Sequence, residues 1–283
     1  MNQGEKKMKT AWIFCIIILT ATNLFSQEIF FPELTGPYLG QKPPGKTPEI
    51  FAPGVISLPG STEWSSCFSA DGNEFYFCRI TKASDQTEIS IFSSKIVDGI
   101  WTAPEKAEFA AGYPSNQPHV THDNQRLYFG WHRQVPQGEV SYMGDRGIWM
   151  SVRTDNGWSE PRYAGQGMFV SSSNDGRIYT TDMSMRITNG KTYLAMVRME
   201  NERFVGFERL SIEPQFDEGP AHPCIAPDES HILFDVAGGS HMFVSFKQKD
   251  GMWGKAIDLT EHGHDSWQAG QQLRMMINIC SST

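Results

Sequence analysis

The chain has 283 residues with 24 basic and 32 acidic side chains, which gives it a formal net charge of -8. This acidic balance argues against a nucleic-acid partner, because phosphate backbones are bound by clustered Lys and Arg. Hydrophobic residues make up 39% of the chain and only five are cysteines, so the composition indicates a domain with a large core and excludes a dense disulfide scaffold.

The first 27 residues have the pattern of a secretory signal peptide. Three lysines precede an apolar run from Ala11 to Phe25, and the polar pair Ser26 and Gln27 follows. This run is 15 residues long, whereas a transmembrane helix needs about 20. We therefore expect residues 1–27 to be cleaved, which would leave a periplasmic or secreted chain with no membrane span.

Two segments precede the repeated part of the chain. Residues 28–49 contain five prolines and are predicted to form an extended lead-in strap. Residues 50–58 resemble a single strand ahead of the first repeat, and in a closed ring of sheets such a strand completes the last one. Residues 50–260 are predicted to form one repetitive domain.

One pattern occurs four times, and its period defines the architecture. Each copy places an aspartate in a tight turn between two strands, and these aspartates recur at intervals of 52, 52 and 53 residues. They are Asp71, Asp123, Asp175 and Asp228. An aromatic residue returns later in each period, at Trp101, Trp158, Phe204 and Trp253.

Each period indicates four short antiparallel strands. In the first copy we predict strands over 64–69, 74–80, 87–95 and 105–110. Asp-Gly and Asn-Gly dipeptides, which suit the positive backbone angles of hairpins, join the third and fourth strands in three of the copies. A four-stranded sheet cannot bury both of its faces alone, but radial stacking of several copies does so. The repeats therefore predict an all-β fold, a β-propeller of four-stranded antiparallel blades.

The turn sequences resemble those of the TolB-type, WD-like β-propeller repeat family. The family mark is a Ser-Pro-Asp-Gly-like turn before an aromatic strand, and the segments 69–72 and 226–228 match it best. Asn124 and Glu229 stand where glycine is expected, so these two turns are expected to differ in type. The resemblance implies an exported bacterial propeller but not its partner, because this fold serves proteins with very different partners.

The C-terminal part is too short for a further complete blade. After Thr260 only 23 residues follow, too few for three more strands and their turns. We predict four full blades and an incomplete fifth, or an irregular tail, over residues 261–283, with five- or six-bladed relatives. A truncated copy without function of its own is an alternative.

The turn residues are predicted to be structural. An aspartate at such a turn hydrogen-bonds its own backbone, which favours a structural role over a calcium or catalytic site. Cys67 and Cys78 flank the first turn, and a two-residue loop at Gly72 and Asn73 would place them opposite each other and permit a disulfide. The alternative is a pair of buried thiols.

A further group of residues is predicted to lie at the mouth of the central channel. Its members precede the turn aspartates by four to ten residues, a register that brings them to one end of the first strands, where a ligand or partner docks. The candidate binding residues are Glu63, Trp64, Gln117, His119, Glu218 and His222. The alternative is a solvated rim of loops. No spacing forces the histidines to converge on a metal ion, and we predict neither a metal nor a cofactor.

The repeats, without a recognisable catalytic group, lead to the main functional prediction. We expect a non-catalytic, exported and monomeric propeller that binds a protein or a glycan at the cell envelope, as the resemblance implies. The alternative is a carbohydrate-active hydrolase or lyase with Glu63 or Glu218 at the channel mouth. The sequence contains no Gly-x-Ser-x-Gly motif and no His-Glu-x-x-His motif.

Overall fold

A computed structural model describes most of the chain. The described residues are 31–43, 45, 49–83, 86–142, 144, 146–217, 219–236 and 241–260. The described residues from Leu34 onward belong to one compact unit. The predicted signal peptide at 1–27, the predicted incomplete blade at 261–283 and the candidate residue Glu218 lie outside the described residues.

Four antiparallel sheets follow one another along the chain, and each is called a blade. Blade 1 contains β1 (Thr62–Phe68), β2 (Glu74–Ala83), β3 (Gln86–Val97), β4 (Ile100–Trp101) and β5 (Glu105–Lys106). Blade 2 contains β6 (Ser115–Val120), β7 (Arg126–Trp131), β8 (Gly147–Thr154), β9 (Gly157–Trp158) and β10 (Arg162–Gly165). Blade 3 contains β11 (Met168–Ser172), β12 (Ile178–Asp182), β13 (Tyr193–Glu200) and β14 (Arg203–Arg209). Blade 4 contains β15 (Ala221–Ile225), β16 (His231–Val236), β17 (His241–Phe246) and β18 (Ile257–Asp258).

The four blades share one topology. In each, the second strand lies between the first and the third, and the fourth strand position is on the far side of the third. In blades 1 and 2 this position is divided between two short segments, β4 with β5 and β9 with β10. The first strands contact one another in chain order, β1 with β6, β6 with β11 and β11 with β15. The predicted all-β propeller of four-stranded antiparallel blades is therefore confirmed, with four blades in the described part of the chain.

The described helical segments are short. They are two 310 turns at Pro37–Gly40 and Glu108–Ala110 and one α-helix, α1, at Arg186–Asn189. Among the described residues, no helix has the length and apolar character that crossing a bilayer requires.

Apolar side chains form a core between each pair of successive blades. Strand β7 illustrates this arrangement. Its consecutive residues Tyr128 and Phe129 are both fully buried and point to opposite faces of the sheet. Phe129 belongs to the core between blades 1 and 2, and Tyr128 to the core between blades 2 and 3. A third core around Phe234 joins blades 3 and 4. Stacking the blades therefore buries both faces of a sheet.

The other face of blade 1 is covered by residues 34–58, which we call the cover segment. Phe51 and Ile56 from this segment pack on a cluster of blade 1 aromatics that includes Phe75. The indole Nε1 of Trp101 donates a hydrogen bond to the carbonyl of Gly36 at 2.8 Å. Residues 51–58 form turns instead of the predicted strand, because their apolar side chains lie on the face of a sheet and not along its edge.

The turn aspartates accept hydrogen bonds within their own turns. Oδ1 of Asp71 accepts from the backbone N–H of Asn73 at 3.1 Å and from the hydroxyl of Ser69 at 2.5 Å. Burial alone would raise the pKa of Asp71, but these bonds lower it below its usual value. Comparable turn contacts occur at Asp123, Asp175 and Asp228.

The residue after the aspartate is left-handed in all four turns. Gly72 and Gly176 have φ values of 71° and 84°, and Asn124 and Glu229 have values of 59° and 58°. The expectation that the Asn124 and Glu229 turns differ in type is therefore wrong at this position. Asparagine tolerates the left-handed region better than most residues do.

Glu229 is held in the left-handed region by its side chain. The residue is 5% exposed, and its carboxylate accepts hydrogen bonds from Arg177 at 2.6 Å, Tyr179 at 2.7 Å and Lys247 at 2.5 Å. Burial alone would raise the pKa of this carboxyl, but the bonds from Lys247 and Tyr179 lower it below its usual value. These contacts join blade 3 to blade 4 and offset the backbone strain.

The first turn has a four-residue loop, Ala70 to Asn73, and not the predicted two-residue loop. Its length follows from the strand pairing, since Phe68 pairs with Phe75 and the Ser69 N–H donates to the Glu74 carbonyl. The register therefore pairs Cys67 with Tyr76 and Cys78 with Trp64. The two cysteines do not face each other, and both are free and buried.

Candidate functional site

The first strand of every blade contains a bulge at the same place in the repeat. The bulges interrupt the pairing of β1, β6, β11 and β15 with their second strands. Each contains one left-handed residue other than glycine, and each of these precedes its turn aspartate by six residues. They are Ser65, Gln117, Phe169 and His222, with φ values of 44°, 56°, 62° and 52°. Because bulges and left-handed residues are concentrated near functional sites, this ring of bulges is the first place to look for one.

Hydrogen bonds between blades hold three of these residues. The Gln117 N–H donates to Sγ of Cys78 at 3.2 Å, and the Phe169 N–H donates to Oε1 of Gln117 at 3.2 Å. The His222 N–H donates to Oγ1 of Thr181 at 2.9 Å. The rings of Phe169 and His222 meet edge to face at 5.7 Å. The structure thus brings the predicted residues Gln117 and His222 into one network around Phe169, which the sequence did not single out.

Two other predicted mouth residues belong to the protein interior. Glu63 forms an ion pair with Nε of Arg79 at 2.8 Å, and the two side chains are only 7% and 9% exposed. Arg79 also donates to the carbonyl of Ile56 at 2.7 Å, so this pair holds the cover segment on blade 1. Trp64 packs against the core between blades 1 and 2, and its Nε1 is buried without a hydrogen-bond partner among the described residues.

His119 lies inside the propeller and not at its mouth. Its Nε2 lies 2.8 Å from the hydroxyl of Ser172, so the pair joins blade 2 to blade 3. Burial, with a smaller contribution from the nearby His122, lowers the pKa of His119 to about 3. The ring is therefore neutral at physiological pH and serves as a buried structural contact.

His222 is more exposed than His119 and faces a carboxylate. Its Nδ1 lies 3.0 Å from both carboxylate oxygens of Asp235, which is 2% exposed. A carboxylate at Nδ1 fixes the orientation of an imidazole ring. Among the described residues, no group of three or more His, Cys, Asp or Glu side chains is placed to hold a metal ion.

A concave cleft lies at the same end of the blades as the bulges. Strand β11 begins, β12 ends and β13 begins at this end, because Met168 pairs with Thr181 and Asp182 pairs with Tyr193. The connection from β14 to β15, residues 210–220, runs past the start of β13. Between them is a cleft of about 100 Å³ lined by Lys191, Thr192, Tyr193, Leu194, Leu210, Ile212, Gln215, Phe216, Asp217 and Pro220.

The aromatic side of this cleft is held by charged groups beneath it. The guanidinium carbon of Arg209 lies 4.0 Å from the centre of the Tyr193 ring. Nε of Arg209 donates to Asp182 at 2.8 Å, and Asp182 is 1% exposed. This stack of carboxylate, guanidinium and phenol ring fixes one wall of the cleft before any ligand arrives.

The sequence did not reveal this cleft for a simple reason. Its residues come from one strand start and from an irregular connection, and neither contains the repeated pattern. Glu218, the predicted residue nearest to it in the chain, lies outside the described residues.

A second cleft, of about 300 Å³, lies near the β13–β14 turn. It is lined by Pro136, Met150, Arg162, Tyr163, Asn201, Glu202 and Arg203. Its charged groups are paired, because Arg162 donates to Glu202 at 2.7 Å and Arg203 donates to Glu139 at 2.5 Å. These charged side chains already have partners within the protein.

No protein family and no curated protein matches the chain, but solved structures do resemble it. An auxiliary nutrient binding protein from Bacteroides ovatus is 9% identical with a TM-score of 0.43, over 69% of this chain and 41% of that one. This chain thus spans less than half of that protein. A putative TolB from Agrobacterium tumefaciens is 16% identical with a TM-score of 0.39, over 72% and 82%. A PQQ-bound aldose sugar dehydrogenase from Streptomyces coelicolor is 12% identical with a TM-score of 0.41, over 75% and 71%.

Similarity at this level says nothing about a ligand or a reaction. The propeller fold that the turn sequences predicted is confirmed by the four antiparallel sheets of the described residues, and a putative TolB is among the solved structures that the chain resembles.

Proposed function

We propose that this protein is a non-catalytic, exported β-propeller that binds a protein or a glycan at the cell envelope. The export part of the proposal rests on the signal-like pattern of residues 1–27. Cell fractionation tests it directly, with the mature chain expected in the periplasm or the medium. Recovery of the uncleaved chain in the cytoplasm would contradict it.

The binding part of the proposal rests on the end of the blades where the four bulges lie. Hydrogen bonds between blades fix the bulge residues Gln117, Phe169 and His222. The connections 132–146, 183–192 and 210–220 leave from this rigid end and differ in length and sequence. Variable loops on a rigid scaffold are a common arrangement for recognition.

The contacts of Glu63 do not favour the alternative of a carbohydrate-active hydrolase or lyase. The Glu63 carboxylate accepts a hydrogen bond from the buried Arg79 side chain, whereas a general acid must lie within hydrogen-bond reach of its substrate. The second candidate acid, Glu218, lies outside the described residues.

A binding screen with the purified chain tests the proposed function. We expect a saturable interaction with at least one purified envelope polysaccharide or envelope protein, and no turnover of the bound glycan. Absence of binding to every member of both sets would refute the proposal, and so would release of reducing sugar from a bound glycan.

A further inference from the structure

We infer that the cleft between β13 and residues 210–220 binds a neutral saccharide through its hydroxyl groups. This inference rests on the proposed binding function and names its site and ligand class. It is carried by two observations: polar side chains not engaged elsewhere, and aromatic rings fixed in place.

The polar side chains at this cleft differ from those at the channel mouth. The side chains of Lys191, Gln215 and Asp217 make no hydrogen bond or ion pair with any described residue, although all three line the cleft. Glu63 and Gln117, in contrast, are held in contacts within the protein. An ammonium, an amide and a carboxylate together offer both donors and acceptors to a ligand.

The ring walls are prepared for a flat apolar surface. Tyr193 is held from one side by Arg209, as described above. Phe216 packs edge to face against Phe234 at 5.6 Å and Phe243 at 4.9 Å, which fixes its position opposite the start of β13. Rigid aromatic walls bind a ligand with little loss of side-chain entropy.

A saccharide meets these conditions better than an anion or a peptide does. The Lys191 ammonium and the Asp217 carboxylate balance in charge, so the lining does not favour a phosphate or carboxylate ligand. A peptide that adds a strand needs a free sheet edge, and β13 is already paired with β12 and β14 on both sides. A pyranose ring presents apolar C–H faces and hydroxyls that donate and accept, which match the aromatic rings and the polar side chains that line the cleft.

Titration calorimetry with cellotetraose, mannotetraose, xylotetraose and chitotetraose tests the inference. The variants are Asp217→Ala and Gln215→Ala, and the controls are Asp155→Ala and Gln137→Ala. All four positions are exposed, so we expect unchanged melting temperatures. At least one tetrasaccharide should bind the parent chain, and each cleft variant should weaken that binding by tenfold or more, since a lost hydrogen bond to a charged or planar polar group has about this effect. The controls should bind like the parent.

Two results would overturn the inference. If a tetrasaccharide binds equally well to the parent and to both cleft variants, a glycan is bound elsewhere and only the proposed function survives. If no tetrasaccharide binds at millimolar concentration, the inference fails, and the proposed function then depends on the envelope polysaccharides and proteins of the screen above.

Discussion

Replacing Glu63 by glutamine separates a structural role from a binding role for this residue. The substitution keeps the shape of the side chain and removes the charge that faces Arg79. The guanidinium then remains buried, with the carbonyls of Val55 and Ile56 and the rings of Phe77 and Phe92 around it. An uncompensated buried charge destabilises the folded state, so we expect the propeller to lose stability.

The magnitude follows from burial. Breaking a buried ion pair costs about 3–5 kcal/mol, and the remaining carbonyl contacts of Arg79 reduce this to about 2–4 kcal/mol. For a chain of this size, 1 kcal/mol shifts the melting temperature by about 2–4 °C. Glu63→Gln should therefore lower it by roughly 5–15 °C. Glu88→Gln is the matched control, because Glu88 pairs with Lys106 but both side chains are about half exposed, and such pairs contribute about 0–1 kcal/mol.

Thermal unfolding followed by circular dichroism measures both variants. Limited proteolysis gives a second readout, because Arg79 holds the cover segment through Ile56 and cleavage within residues 50–58 should become faster. A Glu63→Gln protein that melts with the Glu88→Gln control and resists the protease would refute the structural role. If that protein also lost ligand binding, Glu63 would return to the list of binding residues.

Three further outcomes are expected from other buried groups. In the folded protein the pKa of His119 is lowered to about 3, whereas in the unfolded chain the ring takes up a proton below its usual pKa of about 6.5. The free energy of unfolding should therefore fall by about 1.4 kcal/mol per pH unit below pH 6.5. His119→Gln should flatten this slope in urea titrations at pH 4 to 7. Glu229→Gly should destabilise the protein by about 2–4 kcal/mol although it relieves the strain of a left-handed backbone, because it removes a carboxylate that accepts three hydrogen bonds. Asn124→Gly should change the stability by less than about 1 kcal/mol in the same assay. Equal losses for the two variants would contradict the role given to Glu229. Burial raises the pKa of Cys67 to about 12 and also raises that of Cys78, so neither thiol should react with a thiol-specific reagent at pH 8 until the protein unfolds, and rapid labelling of the native protein would be incompatible with their burial.

The fold was predictable because it repeats. An aspartate turn and an aromatic strand returning every 52 or 53 residues indicate blades whatever else the chain contains. Gln117 and His222, two of the predicted mouth residues, occupy equivalent positions in the bulges, and their role in binding stays a prediction. The bulge itself left no signal, because Ser65, Gln117, Phe169 and His222 have no side-chain chemistry in common.

The roles of the candidate residues depend on contacts that spacing does not reveal. Glu63 is committed to Arg79, 16 residues away in the chain, and His119 is committed to Ser172, 53 residues away. The second separation is close to one repeat interval, but the interval does not show which two side chains meet, and the first separation lies within one blade. The cleft was missed for a related reason, because its polar side chains lie on a connection, residues 210–220, that has no counterpart in the repeat.

The cover segment has a consequence for the order in which the chain folds. In a ring closed by its last blade, the first blade is completed only when residues about two hundred positions later arrive. Here the second face of blade 1 is supplied from within the same N-terminal stretch, and the farthest hydrogen bond involved among the described residues joins Trp101 to Leu34, 67 residues apart. Contacts of short sequence separation form early. A chain that is synthesised from its N-terminus can therefore form blade 1 and cover one of its faces before blade 2 has been made, and each later blade then packs against the blade before it.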